Sequence, residues 1–258
     1  MGLFIFWLII FVIIVMHELG HLLMAKKYGV RVNTYSIGFG PRIIGVKFYK
    51  GQISFRIGNK LPTNTKIWFR KDNTEYRIAP VLFGGFCSLE GEIKSTGKPY
   101  ELASKPFGQK VVIALAGVGI NFITGLLALF GIAIKNQGFT EGIKNTIIMV
   151  YQTIVSLFVG IYLLCSDGAE ITKASEVNQL MSNMNIEYII AYFGLFSVIM
   201  AVINAFPFWP CLDGSLPVAW LIEKLTKGKA SNILQYIWIA GFIILMILQV
   251  IIFYFWIF

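Results

Sequence analysis

Residues Val111 to Ile134 carry no formal charge, and neither do Tyr188 to Pro210 or Ile233 to Phe258. Leu3 to Ala25 is equally apolar and carries only Glu18, flanked by His17 and His21. About 20 such residues, rising roughly 1.5 Å each, cross the hydrocarbon layer of a bilayer. Four spans are therefore expected, at about 3–25, 111–134, 188–210 and 233–258. A soluble domain carries about a quarter charged residues. Here 14% are charged and 57% hydrophobic, with a mean hydropathy of +0.72. That excludes a disordered chain, a disulfide scaffold and a soluble enzyme. The first stretch has no basic leading region and no small-residue cleavage site, so it reads as a span and not as a signal peptide. The fold class expected is an all-α polytopic membrane protein with about four transmembrane helices and a β-rich, membrane-associated loop. A fifth apolar region, Ile143 to Cys165, contains Gln152, Thr153 and Ser156 and is expected to lie in the interface or to re-enter.

The net charge of +9 is a topology signal here, not a nucleic-acid footprint. Sixteen of the 22 Lys and Arg fall between Leu22 and Lys110, against five acidic residues. Between Gly131 and Glu187 there are three Lys against five acidic residues, among them Asp167, Glu170 and Glu176. Basic loops stay on the cytoplasmic side. The region 26–110 is therefore expected in the cytoplasm, 135–187 outside, and both termini outside. The cysteines, Cys87, Cys165 and Cys211, form no metal or disulfide pattern and read as packing residues. Tyr254 and Trp256 read as interface anchors.

The only two histidines stand four apart in His17-Glu18-Leu19-Gly20-His21. On a helix, positions four apart share a face, so both imidazoles can reach one divalent metal, with Glu18 placed as general base. Zinc suits imidazole and carboxylate ligands with one position left open. Ionisable groups inside a span are costly and mark function. A third ligand is needed and no histidine remains. Asp213, after the third span in Asn204-Ala205-Phe206-Pro207-Phe208-Trp209-Pro210-Cys211-Leu212-Asp213-Gly214, is the best candidate. With four spans it emerges on the cytoplasmic side, at a depth similar to that of the histidines. A full crossing by Ile143–Cys165 would put it on the opposite side. Cys211 is not expected to be a ligand, because one position must stay open.

This constellation resembles the site-2 protease family of intramembrane zinc metalloproteases, and within it the bacterial regulator-of-sigma-E protease (RseP) branch. The resemblance covers most of the chain. Besides the H-E-x-x-H and L-D-G motifs, Ser36-Ile37-Gly38-Phe39-Gly40-Pro41 resembles a family segment just after the first span. Thr74 to Ala79, running on to Gly84-Gly85-Phe86, resembles the family's membrane re-entrant β-loop, and Ala116-Gly117-Val118-Gly119-Ile120-Asn121-Phe122 its A-G-P-x-x-N-F segment. The resemblance implies one zinc ion held by His17, His21 and Asp213. It also implies that Glu18 takes a proton from the attacking water and later protonates the leaving amine. Asn121 and Asn204 would contact substrate, and the loop at Gly84, Gly85 and Phe86 would pair with an unwound substrate strand. Asn121 could instead bond a neighbouring helix.

Three departures stand out. Asn204 to Asp213 is one residue longer than the family pattern, with Trp209 reading as an insertion; Val118 replaces Pro; Ser215 replaces a second Gly. The loop 135–187 is too short for the PDZ modules that many relatives carry, so substrate screening is absent or falls to an accessory membrane protein. Implied substrates are single-span membrane proteins or signal-peptide remnants in the plasma membrane of a bacterium. Alternatives from other classes are a catalytically inactive zinc-binding scaffold and a metal transporter. The retained Glu18 argues against the first, and the uncharged second and fourth spans argue against the second. Ile53-Ser54-Phe55-Arg56-Ile57 alternates as a half-buried strand after a Lys50-Gly51 turn; it reads equally as a membrane-surface hairpin or as part of the substrate-pairing loop.

Overall fold

The computed structural model describes residues 1–92, 95–165 and 173–257. Asp167 and Glu170, and the side chains of Cys165 and Trp256, lie outside the described part. The chain divides into two compact units: Ile14–Gly117, and Met1–Ile13 with Val118–Phe258. The first helix, α1 (Gly2–Lys27), runs through both.

The unit Ile14–Gly117 is built around a sheet that follows the basic end of α1. Its strands are β1 (Val32–Phe39), β2 (Ile44–Tyr49), β3 (Gln52–Ile57), β4 (Glu75–Ile78) and β5 (Val81–Leu89), in the spatial order β3-β2-β4-β1-β5. β1 and β4 run parallel; the other pairs are antiparallel. Lys50 and Gly51 both take positive φ, as a two-residue hairpin turn requires, and this fixes Tyr49 opposite Gln52. A short helix, α2 (Thr65–Trp68), is capped by the Asn64 side chain, which accepts from Ile67 N.

Cross-strand partners share a face. Phe55, Val46, Tyr76, Tyr35 and Cys87 therefore lie on one side, and Arg56, Gly45, Arg77, Ser36 and Phe86 on the other. The first face meets α1. The Tyr35 hydroxyl donates to Val15 O at 2.9 Å, and Lys26 Nζ donates to Tyr76 Oη at 2.7 Å. The second face is polar and carries α2, with Trp68 buried against Gly45.

Downstream of the sheet, the backbone is held by a buried carboxylate. Glu101 is 1% exposed and accepts from Ser95 Oγ (2.7 Å), Thr96 N (2.8 Å), Gly97 N (3.0 Å) and the Thr96 hydroxyl. The helix α3 (Phe107–Ala114) then starts after Pro106.

The expected second span, 111–134, is interrupted. α3 stops at Ala114, Leu115 is its cap, and α4 runs Ala116–Gln137. The other unit holds α4, α5 (Phe139–Cys165), α6 (Ala174–Ser182), α7 (Ile186–Asn204), α8 (Ser215–Leu225) and α9 (Ser231–Ile257). The third span was expected to reach Pro210, but α7 ends at Asn204, because Pro207 bars its predecessor from helical geometry. α7 starts at an Asn185 cap that accepts from Tyr188 N. It crosses α4 where a Cβ on Gly125 would stand 2.9 Å from Gly194 O, so small residues permit the approach. Within the same unit, Asn178 Oδ1 and Ser182 Oγ of α6 accept from Leu3 N and Gly2 N, capping the start of α1.

Among the described residues, five helices (α1, α4, α5, α7 and α9) are long and apolar enough to cross a membrane. Their outer faces carry large aliphatic side chains that no protein covers, such as Ile243 and Ile247 on α9. With lipid as the outer solvent those side chains cost nothing, and the chain is a multi-pass membrane protein with a small sheet. The region expected to lie in the interface or to re-enter, 143–165, is one unbroken helix.

Four hydrogen bonds from the Thr96 hydroxyl and amide, Ser95 and Gly97 hold the Glu101 carboxyl down at about 2, below its ordinary 4.5. A depressed carboxylate stabilises the fold above its unfolded pKa and loses that contribution as pH falls. Protection of residues 95–105 against hydrogen exchange, taken relative to the intrinsic rate at each pH, should therefore fall between about pH 4.5 and about 2, and Glu101→Gln should remove this pH dependence.

Candidate metal centre

An apolar helix with two imidazoles and a carboxylate inside it needs internal partners for them. His17, Glu18 and His21 are all buried, at 6%, 8% and 9% exposure. α3 supplies the first partner. Its early end leaves carbonyls without intrahelical donors, and Ile113 O lies 2.9 Å from His21 Nδ1. A carbonyl can only accept, so Nδ1 carries the proton and the lone pair of Nε2 faces the other way. There His17 Nε2 stands 3.2 Å from His21 Nε2, with the rings edge to face. Two nitrogens on one tetrahedral zinc, each about 2.0–2.1 Å from it, would stand about 3.3–3.4 Å apart. The imidazole pair thus fits that ion, and the Nδ1–carbonyl bond is the kind of support that fixes a ligand's tautomer.

Glycines set the walls. A Cβ on Gly117 would lie 2.5 Å from His21 Nε2 and 2.7 Å from His17 Nε2, so only glycine leaves both nitrogens clear. A Cβ on Gly20 would lie 2.5 Å from Ala116 O; the glycine within H-E-x-x-H lets the two backbones touch.

β5 passes over Glu18. A Cβ on Gly85 would lie 2.9 Å from Glu18 Cγ and 2.7 Å from Ser36 O. Gly84 fits under the Phe39 ring, which stacks on Phe86 at 6.3 Å; the Arg77 guanidinium covers the other side of Phe86. β5 pairs with β1 alone among the described residues, so it is an edge strand. Burial, with the Glu18 carboxylate second, pushes the Tyr35 hydroxyl up to about 12 and raises the Cys87 thiol well above its ordinary range. Cys87 is therefore a neutral packing thiol, as its sequence context suggested. Sequence reasoning did not single out Tyr35 or Ile113, and it named Gly117 only as part of the Ala116–Phe122 segment, not as a wall of the histidine pair.

Asn204 and Asp213 sit in the other unit. Gly214 N donates to Asn204 O at 2.8 Å, which closes the chain from 204 to 214 into a loop at the end of α7. A Cβ on Gly214 would lie 2.1 Å from Ala205 O, so this closure demands glycine. Within this loop Cys211 is left-handed, with φ +73°. Burial, then the Asp213 carboxylate, raises the Cys211 thiol to about 11. The Asn204 side chain donates back to Met200 O at 3.0 Å. Asn121 is fully buried where α4 meets α7, and its carbonyl accepts from Ser197 Oγ at 2.8 Å.

A family model for peptidase family M50, the site-2 proteases, matches residues 5–63 and 59–248. The chain belongs to this family. It is 33% identical over 138 residues to zinc metalloprotease Rip1 of Mycolicibacterium smegmatis, covering 52% of this chain and 29% of that protein. Rip1 of Mycobacterium tuberculosis is 25% identical over 138 residues, 52% of this chain and 28% of the relative. The CPE1693 protein of Clostridium perfringens is 31% identical over 129 residues, 50% of this chain and 31% of that protein. The matched stretches span less than a third of these relatives' lengths.

Gly117→Ala should cut zinc affinity about 10- to 100-fold, read by chelator competition. Gly119→Ala, where a methyl meets open space, should leave it unchanged.

Proposed function

We propose that the chain is an intramembrane zinc metalloprotease that hydrolyses peptide bonds in or next to transmembrane segments of other membrane proteins. The observation that carries this reading is the Nε2 pair of His17 and His21 with Glu18 between them, all buried, the histidines against Gly117 and Glu18 against Gly85 of β5. His17, His21 and Asp213 hold one zinc ion, and membership of the M50 family and the names of the Rip1 relatives support that metal. When bound, zinc polarises a carbonyl and makes water acidic.

Glu18 accepts the proton of the attacking water and hands it to the leaving amine, the role that a carboxylate in this slot performs. Its site is shielded from bulk water, so the proton is retained for the second step. A substrate helix hides its amides in its own hydrogen bonds and must unwind to be cut. The open edge of β5 at Gly84, Gly85 and Phe86 offers the freed amides replacement partners. Asn121 and Asn204 contact the substrate near the metal, the role that the family resemblance implies for them.

The substrates are single-span proteins or signal-peptide remnants of a bacterial plasma membrane, with an accessory membrane protein in place of a PDZ module. α1, α4, α7 and α9 cross, and the unbroken α5 lies along the interface. This parity brings Asp213 to the cytoplasmic side, where the basic region 26–110 belongs, and leaves both termini outside. α5 is long enough to cross, so accessibility is the deciding measurement. Lys173→Cys should react with an impermeant thiol reagent from outside; labelling only from the cytoplasm would reverse the topology.

Glu18→Gln should keep zinc and lose roughly 10²- to 10⁴-fold in cleavage of a model transmembrane substrate. Asp213→Ala should lose both zinc and cleavage. Equal cleavage by wild type and Glu18→Gln would reject proteolysis by this mechanism, and full zinc binding by both, with no cleavage by wild type, would favour the inactive scaffold.

A further inference from the structure

The strand beside Glu18 has a second face. β5 turns Gly85 and Cys87 toward α1, and Gly84 and Phe86 away from it. On that reverse face a Cβ on Gly84 would lie 2.4 Å from Phe39 Cε2, so the Phe39 ring lies flat over the strand. Phe39 stacks on Phe86 with an interplanar angle of 9°, and the Arg77 guanidinium carbon stands 5.0 Å from the centre of the Phe86 ring. Two stacked rings and a cation thus line the reverse of the open edge. Nothing in the handling of metal or water explains them.

Arg77 is held in place by a neutral group. Arg77, Ser36 and Phe86 are cross-strand neighbours in one row of the sheet. Arg77 Nε donates to Ser36 Oγ at 3.1 Å. Ser36 is fully buried and spends its own proton on Gly38 O at 2.9 Å, so toward Arg77 it can only accept. This bond fixes the guanidinium through one nitrogen and leaves the two terminal amino groups for another acceptor. Glu75, two residues earlier on the same strand, is engaged by Arg42 Nε at 2.5 Å. Among the described residues no carboxylate forms an ion pair with Arg77. A half-buried guanidinium keeps its charge and gains most from a carboxylate, which its fork can bind through two parallel hydrogen bonds.

We propose that Arg77, with Phe86 and Phe39, forms a specificity subsite that selects an Asp or Glu side chain of the substrate, one residue along from the residue that faces Glu18. The inference rests on the protease reading, because it needs a substrate strand on β5. Such a strand lies about 4.8 Å beyond β5, and its side chains alternate between faces as those of β5 do. The residue opposite Gly85 turns toward Glu18. Its neighbour opposite Phe86 turns to the reverse face, with its Cβ about 4.5–5.5 Å from that of Phe86. There a carboxylate meets the open end of the Arg77 guanidinium beside the ring. An apolar side chain packs on Phe86 and leaves the cation without its acceptor, and a Lys is repelled. Asp also competes with helical backbone bonds, so the same substrate residue helps to expose the peptide bond beside it. The substrate class is a membrane segment, or its flank, with an acidic residue next to the point of unwinding.

The test uses the full chain in nanodiscs and a model single-span substrate in which one Asp is walked along the segment around the cleaved bond, with Asn and Lys as partners at each position. Asn loosens a helix much as Asp does, so the Asp-to-Asn ratio isolates the charge. At one position next to the cleaved bond, kcat/KM should favour Asp over Asn about 10-fold, and over Lys by more. Arg77→Gln should bring the Asp-to-Asn ratio close to one, and Arg77→Glu should reverse the order of Asp and Lys. Fluorescent peptides of the same series, bound to Glu18→Gln, should show the same order in Kd without any cleavage. A wild type that treats Asp and Asn alike at every position, in cleavage and in binding to Glu18→Gln, would overturn the subsite, and so would a preference that survives Arg77→Gln. The wild-type ratio needs no Arg77 variant, so misfolding of one does not shelter the proposal. Cleavage of no substrate by wild type, with the Arg77-dependent binding preference intact, would strike the protease reading and leave the subsite standing.

Discussion

Two imidazoles and a carboxylate inside an apolar helix are the constraint on which this structure turns. Buried polar groups cost free energy unless each finds a partner. The chain meets the demand by local means: a helix that stops early to free the Ile113 carbonyl, and glycines at 20, 85 and 117 that let three backbones approach the His17–His21 turn. Each is a place where an ordinary side chain would push a functional atom out of position. The glycines of the H-E-L-G-H, A-G-V-G and G-G-F segments thus share one physical purpose although they lie far apart in the chain.

The sheet extends the same logic. Tyr35 and Tyr76 tie it to α1 at Val15 and Lys26, so the tie fixes the placement of β5 over Glu18. Once that edge is committed, the opposite hairpin projects past α1 with its apolar side uncovered. A single sheet face is therefore packed on α1 at one end and left exposed at the other, where Phe48, Ile53, Phe55 and Ile57 stand. Some of the basic residues that signalled topology in the sequence, Arg42, Lys47 and Arg56, gather behind that exposed end.

Much of this was legible beforehand. Runs without charge announce spans because lipid tolerates no other composition. Two histidines four apart announce a shared helical face. The Lys50-Gly51 turn and the alternation from Ile53 to Ile57 announced a hairpin. Element ends were less legible. Apolar composition continues through Leu115, so the break between α3 and α4 leaves no hydropathy signal, and Pro207 and Pro210 were read as the end of a span that stops at Asn204. α8 escaped notice because Ser215-Leu216-Pro217 starts a helix in a stretch where the prolines had suggested only a break.

By itself, the sequence determined that this is a multi-pass membrane protein and that two imidazoles and a carboxylate share one turn of its first helix, because burial cost and helical spacing are local properties. Only the tertiary structure decided which nitrogen of His21 is turned away from Ile113, which strand lies over Glu18, and that the hairpin ends at the far edge of the sheet. Those outcomes depend on contacts between residues distant along the chain, whose partners no local pattern specifies.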